Sequence, residues 1–143
     1  MISKRLTFAT VPLVFVLAAL TACGDGKKQA DACSDSDGAL SESAFVFVQS
    51  PTSGQRVKSG FQVTGCSNTF EATLNWRLLA KNGKGLASGI AQGGTLGPGP
   101  FAFTVNYSVS QRQIGGLEVT GAKGTTEEGF PPPKEVVPLV LQP

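Results

Sequence analysis

Catalysis needs groups that carry protons or attack bonds, and this chain holds few of them in useful company. It has no histidine, which removes Ser–His–Asp and Cys–His catalysis and the common His-containing zinc sites. Asp31, Asp35 and Asp37 before Gly38 invite a calcium loop. Aligning Gly38 with the EF-hand glycine puts Cys33 and Ala44 at the first and last loop positions, where acids are required. The match fails, and the run reads as a solvated tether. Glu127-Glu128 with Glu71 or Glu118 offers an acid–base pair only in the sense that ten acidic residues offer many. The glycine-rich stretch from Gly93 to Pro100 is followed neither by a helix nor by Lys-Ser/Thr, so it is no phosphate cradle. Asn106-Tyr107-Ser108 fits a glycosylation acceptor but falls within a strand-like run. The expectation is a protein that is not an enzyme and uses no metal or cofactor.

The sulfur chemistry is more specific. Lys4 and Arg5 precede an apolar run from Leu6 to Leu20, then Leu20-Thr21-Ala22-Cys23. A basic segment, an apolar core and small residues before a cut make a secretory signal. Fifteen residues fall short of the roughly 20 that span a bilayer, and Pro12 interrupts them. The Cys directly after the small residues resembles a bacterial lipobox. That resemblance implies a diacylglyceryl thioether on Cys23, cleavage before it and acylation of the new amino group. Two or more acyl chains hold a protein on its membrane, whereas one does so only marginally. An ordinary signal peptide followed by a spare thiol is the plainer alternative.

Cys33 and Cys66 then remain. Two cysteines cannot make a Cys₄ site. In an oxidising compartment an even count suggests a disulfide, with two free thiols or an intermolecular bridge as the alternatives. An internal bridge over this interval would contribute roughly 4 kcal/mol.

The mature chain would run from Cys23 to Pro143, enough for one domain with one core. Twelve basic residues less Lys4 and Arg5 leave ten, against ten acidic ones, so the mature net charge is near zero. Lys and Arg are scattered along it, with no sequence footprint for nucleic acid. Residues 24–43 are rich in Asp, Ser, Gly, Ala and Lys and read as a flexible tether. If Cys33 is bridged, only residues 24–32 stay free, a reach of roughly 30 Å.

From Ala44 the pattern has period two. Phe45, Phe47 and Gln49 alternate with Val46 and Val48; Phe61 and Val63 with Gln62 and Thr64; Leu74, Trp76 and Leu78 with Thr73, Asn75 and Arg77. Phe101, Phe103, Val105, Tyr107 and Val109 form the longest stripe, and Leu117 with Val119 and the run Val136 to Leu141 complete the set. Such alternation marks half-buried strands. Turn formers separate the runs, among them Asn82-Gly83, a strong hairpin signal. Seven strands are expected: 44–49, 60–66, 71–81, 84–91, 101–109, 115–122 and 134–141. About seven short strands with frequent turns suggest an all-β sandwich.

The segment Val48-Gln49-Ser50-Pro51-Thr52-Ser53-Gly54-Gln55-Arg56-Val57 leads to Gly60-Phe61-Gln62-Val63-Thr64-Gly65. Arg77-Leu78-Leu79-Ala80-Lys81-Asn82-Gly83-Lys84, a glycine-rich stretch and Phe101-Ala102-Phe103 follow. This order resembles the immunoglobulin-like domain of bacterial spore germination over about residues 45–141. The resemblance implies a single immunoglobulin-like β-sandwich over 44–143, after a signal peptide (1–22) and a tether (23–43). It implies frequent occurrence on lipoproteins and carries no catalytic residues. The separate germination domain that can accompany it is missing here, so a germination role does not follow.

Antibody domains join strands B and F by a disulfide across a buried Trp. Here the expected strand F has no Cys, so Trp76 reads as a core residue. If Phe61 and Val63 point inward, Cys66 points outward by parity, which suits a bridge to Cys33 on the tether. Strands running alternately up and down would gather 67–70, 92–100 and 123–133 at the end where Cys33 and Cys66 meet. Loops at one end of a sandwich commonly bind partners. Phe130, Pro131, Pro132 and Pro133 are the best contact candidates there, as an aromatic beside a short polyproline II segment. Their plainer role is a rigid connection between strands. The function expected is that of a lipid-anchored, extracytoplasmic interaction module. Its partner would be an envelope protein or a glycan, and its place the periplasmic face of an outer membrane or the cell surface. A peptidase inhibitor presenting loop 92–100 or 129–133, and a structural spacer, are the alternatives.

Overall fold

The computed structural model describes residues 33–34, 43–122 and 131–143. Eight strands follow in chain order: β1 (Phe45–Ser50), β2 (Arg56–Val57), β3 (Phe61–Asn68), β4 (Thr73–Ala80), β5 (Gly85–Gln92), β6 (Gly99–Val105), β7 (Gln113–Gly121) and β8 (Lys134–Leu141). A three-stranded sheet of order β1-β3-β6 faces a five-stranded sheet of order β2-β8-β7-β4-β5. All pairings are antiparallel except that of β2 with β8. This is an all-β sandwich whose main strands are the seven expected.

Parity along each strand supplies the core. Val48, Val63, Phe101 and Val105 come from the smaller sheet, and Leu74, Leu78, Leu117, Val119, Leu139 and Leu141 from the larger. All are buried, because alternate side chains of a pleated strand share a face and only that face lies between the sheets. Trp76 is half-buried rather than enclosed. Its indole stacks on Phe103 of the opposite sheet, with centroids 5.0 Å apart and planes 9° apart.

Three boundaries differ from those read in the sequence. The strand expected from residue 71 begins at Thr73, because Glu71 and Ala72 both take positive φ (55° and 56°), which breaks an extended run. The stripe expected to continue to Val109 leaves the sheet after Val105. There the Tyr107 N–H donates to Ser59 Oγ (2.9 Å) instead of a neighbouring strand. The Tyr107 hydroxyl lies 2.7 Å from Val57 O and 2.8 Å from Gln142 O, tying β2 to the end of β8. The short β2 was not expected, since two residues carry no period.

Candidate functional site

The strand directions bring one set of loops together. Thr69 N–H donates to Gly94 O (2.9 Å), and Gly93 N–H donates to Ala72 O (2.7 Å), so the β3–β4 and β5–β6 connections are bonded to each other. Gly121 N–H donates to Pro133 O (2.8 Å), which closes the ends of the β7–β8 connection. A Cβ built on Gly121 would meet both Pro133 (3.1 Å) and Thr69 Cγ2 (3.2 Å), so all three connections share one end of the sandwich, as expected.

Cys33 and Cys66 meet at this end. They are joined by a disulfide, with Cα atoms 5.5 Å apart. Cys66 pairs in register with Phe47 and Pro100, on the face turned away from the core, while neighbouring Gly65 pairs with buried Val48 and Phe101. The outward direction read from parity therefore holds. Cys66 is nevertheless only 2% exposed, with the bridged Cys33 buried as well. Asn68 Nδ2 donates to Ser43 O (3.1 Å), a second tie between the end of β3 and the segment entering β1.

The sequence did not single out the apolar side chains that this end displays. Phe70 is 60% exposed and Leu96 is 98% exposed. Phe70 precedes the two positive-φ residues. Left-handed backbone at a residue other than glycine or asparagine costs of order 1–3 kcal/mol and persists only where surroundings impose it. Here Ala72 N–H bonds to Thr69 O (3.1 Å), Thr73 Oγ1 donates to Glu71 O (3.2 Å) and Gly93 N–H takes Ala72 O. The loop is thus held in a costly shape that turns a phenyl ring to water. The available signal was a large apolar residue among turn formers, out of phase with the flanking stripes.

The polyproline candidate divides. Pro131 is exposed, whereas Pro132 and Pro133 are half-buried and Pro133 packs on Gly121 and Thr69. Pro133 therefore has the connecting role, and Pro131 alone of the three faces water freely. Phe130 and Cys23 lie outside the described residues.

The outer face of the larger sheet carries a charged row. Glu118 on β7 bonds Arg77 on β4 (2.5 Å) and lies 3.6 Å from Lys134 Nζ on β8. The hydrogen bond from Arg77 is the main reason the Glu118 carboxyl is held below its usual range; partial burial opposes this and the charges of Arg77 and Lys134 reinforce it. Burial pushes the Tyr107 hydroxyl up, offset in part by the backbone bond from Gln142. Among the described residues no group of three or more Cys, Asp or Glu could hold a metal ion. No described helix is long and apolar enough to cross a membrane.

The fold defines an immunoglobulin-like module, and the family match agrees. The immunoglobulin-like domain of bacterial spore germination matches residues 45–125, more than half of the chain, and the chain belongs to that family. The match stops short of β8, which nonetheless completes the larger sheet between β2 and β7. Comparison with curated proteins returns no significant match. Among solved structures, CopC from Methylosinus trichosporium OB3b is similar at 15% identity, over 71% of this chain and 95% of that one, with a TM-score of 0.45.

Proposed function

We propose that this chain is a non-enzymatic, lipid-anchored module of the bacterial envelope that holds a second envelope protein through its loop end. The observation that carries the reading is the display of Phe70 and Leu96 on two connections bonded to each other, one of them in a backbone shape that costs energy. Exposed apolar side chains on a preset backbone lose little conformational freedom on docking, which favours association. Pro131 extends the same end.

Lipidation of Cys23 completes the reading. The lipobox-like Leu20-Thr21-Ala22-Cys23 supports it, as does a disulfide of the kind that persists outside the cytoplasm. With Cys33 bonded to the end of β3, residues 24–32 alone would separate the domain from the lipid. They reach roughly 30 Å at most. The periplasmic face of an outer membrane or the cell surface suits such an anchor.

Photo-cross-linking in intact cells tests the binding, with the reactive side chain placed at position 70 or 96 and, as a control, at exposed Ser53 on the β1–β2 connection, level with the middle of β8 and away from the loop end. One protein adduct at 70 and 96 that is missing at 53 is the expected result. No adduct at either position would leave a structural spacer, and an adduct to a peptidase that the purified chain inhibits would make it an inhibitor. Intact mass of the mature protein tests the anchor separately: residue 23 should carry diacylglycerol and an acyl chain, and an unmodified Cys23 would remove that half.

A further inference from the structure

Five of the seven described basic residues, dispersed along the sequence, gather in space. Antiparallel topology sends alternate connections to the end opposite Cys66. That end collects Arg56 and Lys58 beside β2, Lys81 and Lys84 at the β4–β5 turn, and Arg112 before β7. All five are exposed. The described carboxylates are Glu71, Glu118 and Glu135, and they lie at the loop end or along the sheet. None of them pairs with any of the five, since the ion pairs among described residues join Glu118 to Arg77 and Lys134. A carboxylate on Pro143, which follows β8 at the same end, would still leave five cations against one anion among the described residues.

These cations form a row. In the order β2-β8-β7-β4-β5, Arg56 and Lys58 sit at one edge of the larger sheet, Arg112 at its middle and the Lys81–Lys84 turn at the other edge. Five strands at about 4.8 Å spacing extend the row over roughly 19 Å. Arg56 and Arg112 also line one open depression with Gln113, Ile114 and Val140. Arg56 and Ile114 both pair in register with Val140, so a guanidinium and an apolar side chain flank the same strand position.

We infer that this end is a binding surface for an acidic polysaccharide, one bearing phosphate or carboxylate groups along a sugar chain. Clustered like charges raise the local concentration of opposite charge, and the planar fork of Arg matches carboxylate and phosphate oxygens. A row across a sheet end suits an extended polymer better than a compact anion. Single-stranded nucleic acid is disfavoured because its bases need exposed aromatic platforms. At this end Tyr107 is buried and Phe61 half-buried. If the tether holds the loop end near the lipid, the cationic end points away from the membrane, toward such polymers. The inference does not depend on the protein partner proposed for the loop end.

The mature protein in neutral detergent should be titrated with polygalacturonate, with a phosphomannan, with neutral dextran and with a dT oligonucleotide, at low and at physiological salt. Binding to one or both acidic polymers, absent for dextran and weakened by salt, is the expected result; which acidic polymer binds identifies the anionic group. The double variants R56Q/R112Q and K81Q/K84Q should each weaken binding, and their combination should do so by about tenfold or more, with an unchanged melting temperature. Testing the doubles separately keeps the proposal falsifiable if the quadruple variant folds poorly. Phe70→Ser and Leu96→Ser should leave polymer binding intact while abolishing the loop-end adduct, so the two readings can fail independently. Acidic polymers that bind no better than dextran, binding untouched by either double variant, or tighter binding of the oligonucleotide would overturn the inference.

Discussion

The Glu135 carboxylate on β8 accepts the backbone N–H of Val48 on β1, across the gap between the two sheets. Glu135 is in phase with inward-facing Val137, Leu139 and Leu141, so its carboxylate points toward the sandwich interior at the loop end of the strand. β1 is an outer strand of its sheet, and an unpaired edge N–H is a template for unwanted strand pairing. The carboxylate occupies one such donor and joins the sheets at that point. Glu135→Ala should cost about 1–3 kcal/mol, the range for leaving a part-buried donor unpaired, and should increase self-association on heating. Denaturant unfolding and light scattering check the two effects, and Glu135→Gln should recover part of the stability.

Gly89 lies directly under the indole of Trp76. A Cβ there would sit 2.6 Å from Cζ2 and 2.8 Å from Cε2, closer than packed atoms tolerate. Gly89→Ala should therefore displace the ring from its stack on Phe103 and cost about 1–3 kcal/mol through overpacking. Trp76 is the single tryptophan, so its emission reports the displacement without ambiguity. An unchanged spectrum and unchanged stability would show that the ring does not rest there.

The Cys33–Cys66 bridge closes a sequence separation of 33 residues. Its removal in Cys33→Ser/Cys66→Ser should cost roughly 4 kcal/mol on the chain-entropy account. Under denaturing conditions the wild type should gain two protons in mass when reduced. The fold of residues 45–141 should survive reduction at low temperature, since the core strands do not route through the bridge.

Glu118 makes stability depend on pH in a defined direction. Its carboxyl is held below the ordinary value of 4.5 by Arg77. The stabilisation is complete above the unfolded value and is lost as pH falls from about 4.5 through the lower folded value. Arg77 is largely exposed, so the pair should be worth at most about 1 kcal/mol. Glu118→Gln should flatten that part of the acid limb of a stability–pH curve and leave the alkaline limb unchanged.

Much of the fold was legible in the residue order, because strand parity is a local property. The alternation around Phe61, Leu74, Phe101 and Leu117 needs no partner strand to be read, and Asn82-Gly83 dictates its own turn. The outward direction of Cys66 followed from the same parity, which suited a bridge to the tether without deciding it. Strand ends were less legible where other segments decide them: Ser59 takes the Tyr107 N–H, and Gly93 anchors the left-handed turn at Ala72. Neither partner is near in sequence.

The sequence by itself determined the class of fold, its seven main strands and the leader that resembles a lipoprotein signal, and it left the state of Cys33 and Cys66 among three alternatives, which the structure resolves as a bridge. Only the tertiary structure decided which surfaces the module presents. Phe70 and Leu96 share one end because two connections 20 or more residues apart hydrogen-bond there. Arg56, Lys58, Lys81, Lys84 and Arg112 share the other end because antiparallel strands return their alternate turns to the same side. Charge and exposure are sums over neighbours in space. A chain that looks electrically even along its length can therefore fold into a body with five cations at one end and two exposed apolar side chains on bonded loops at the other.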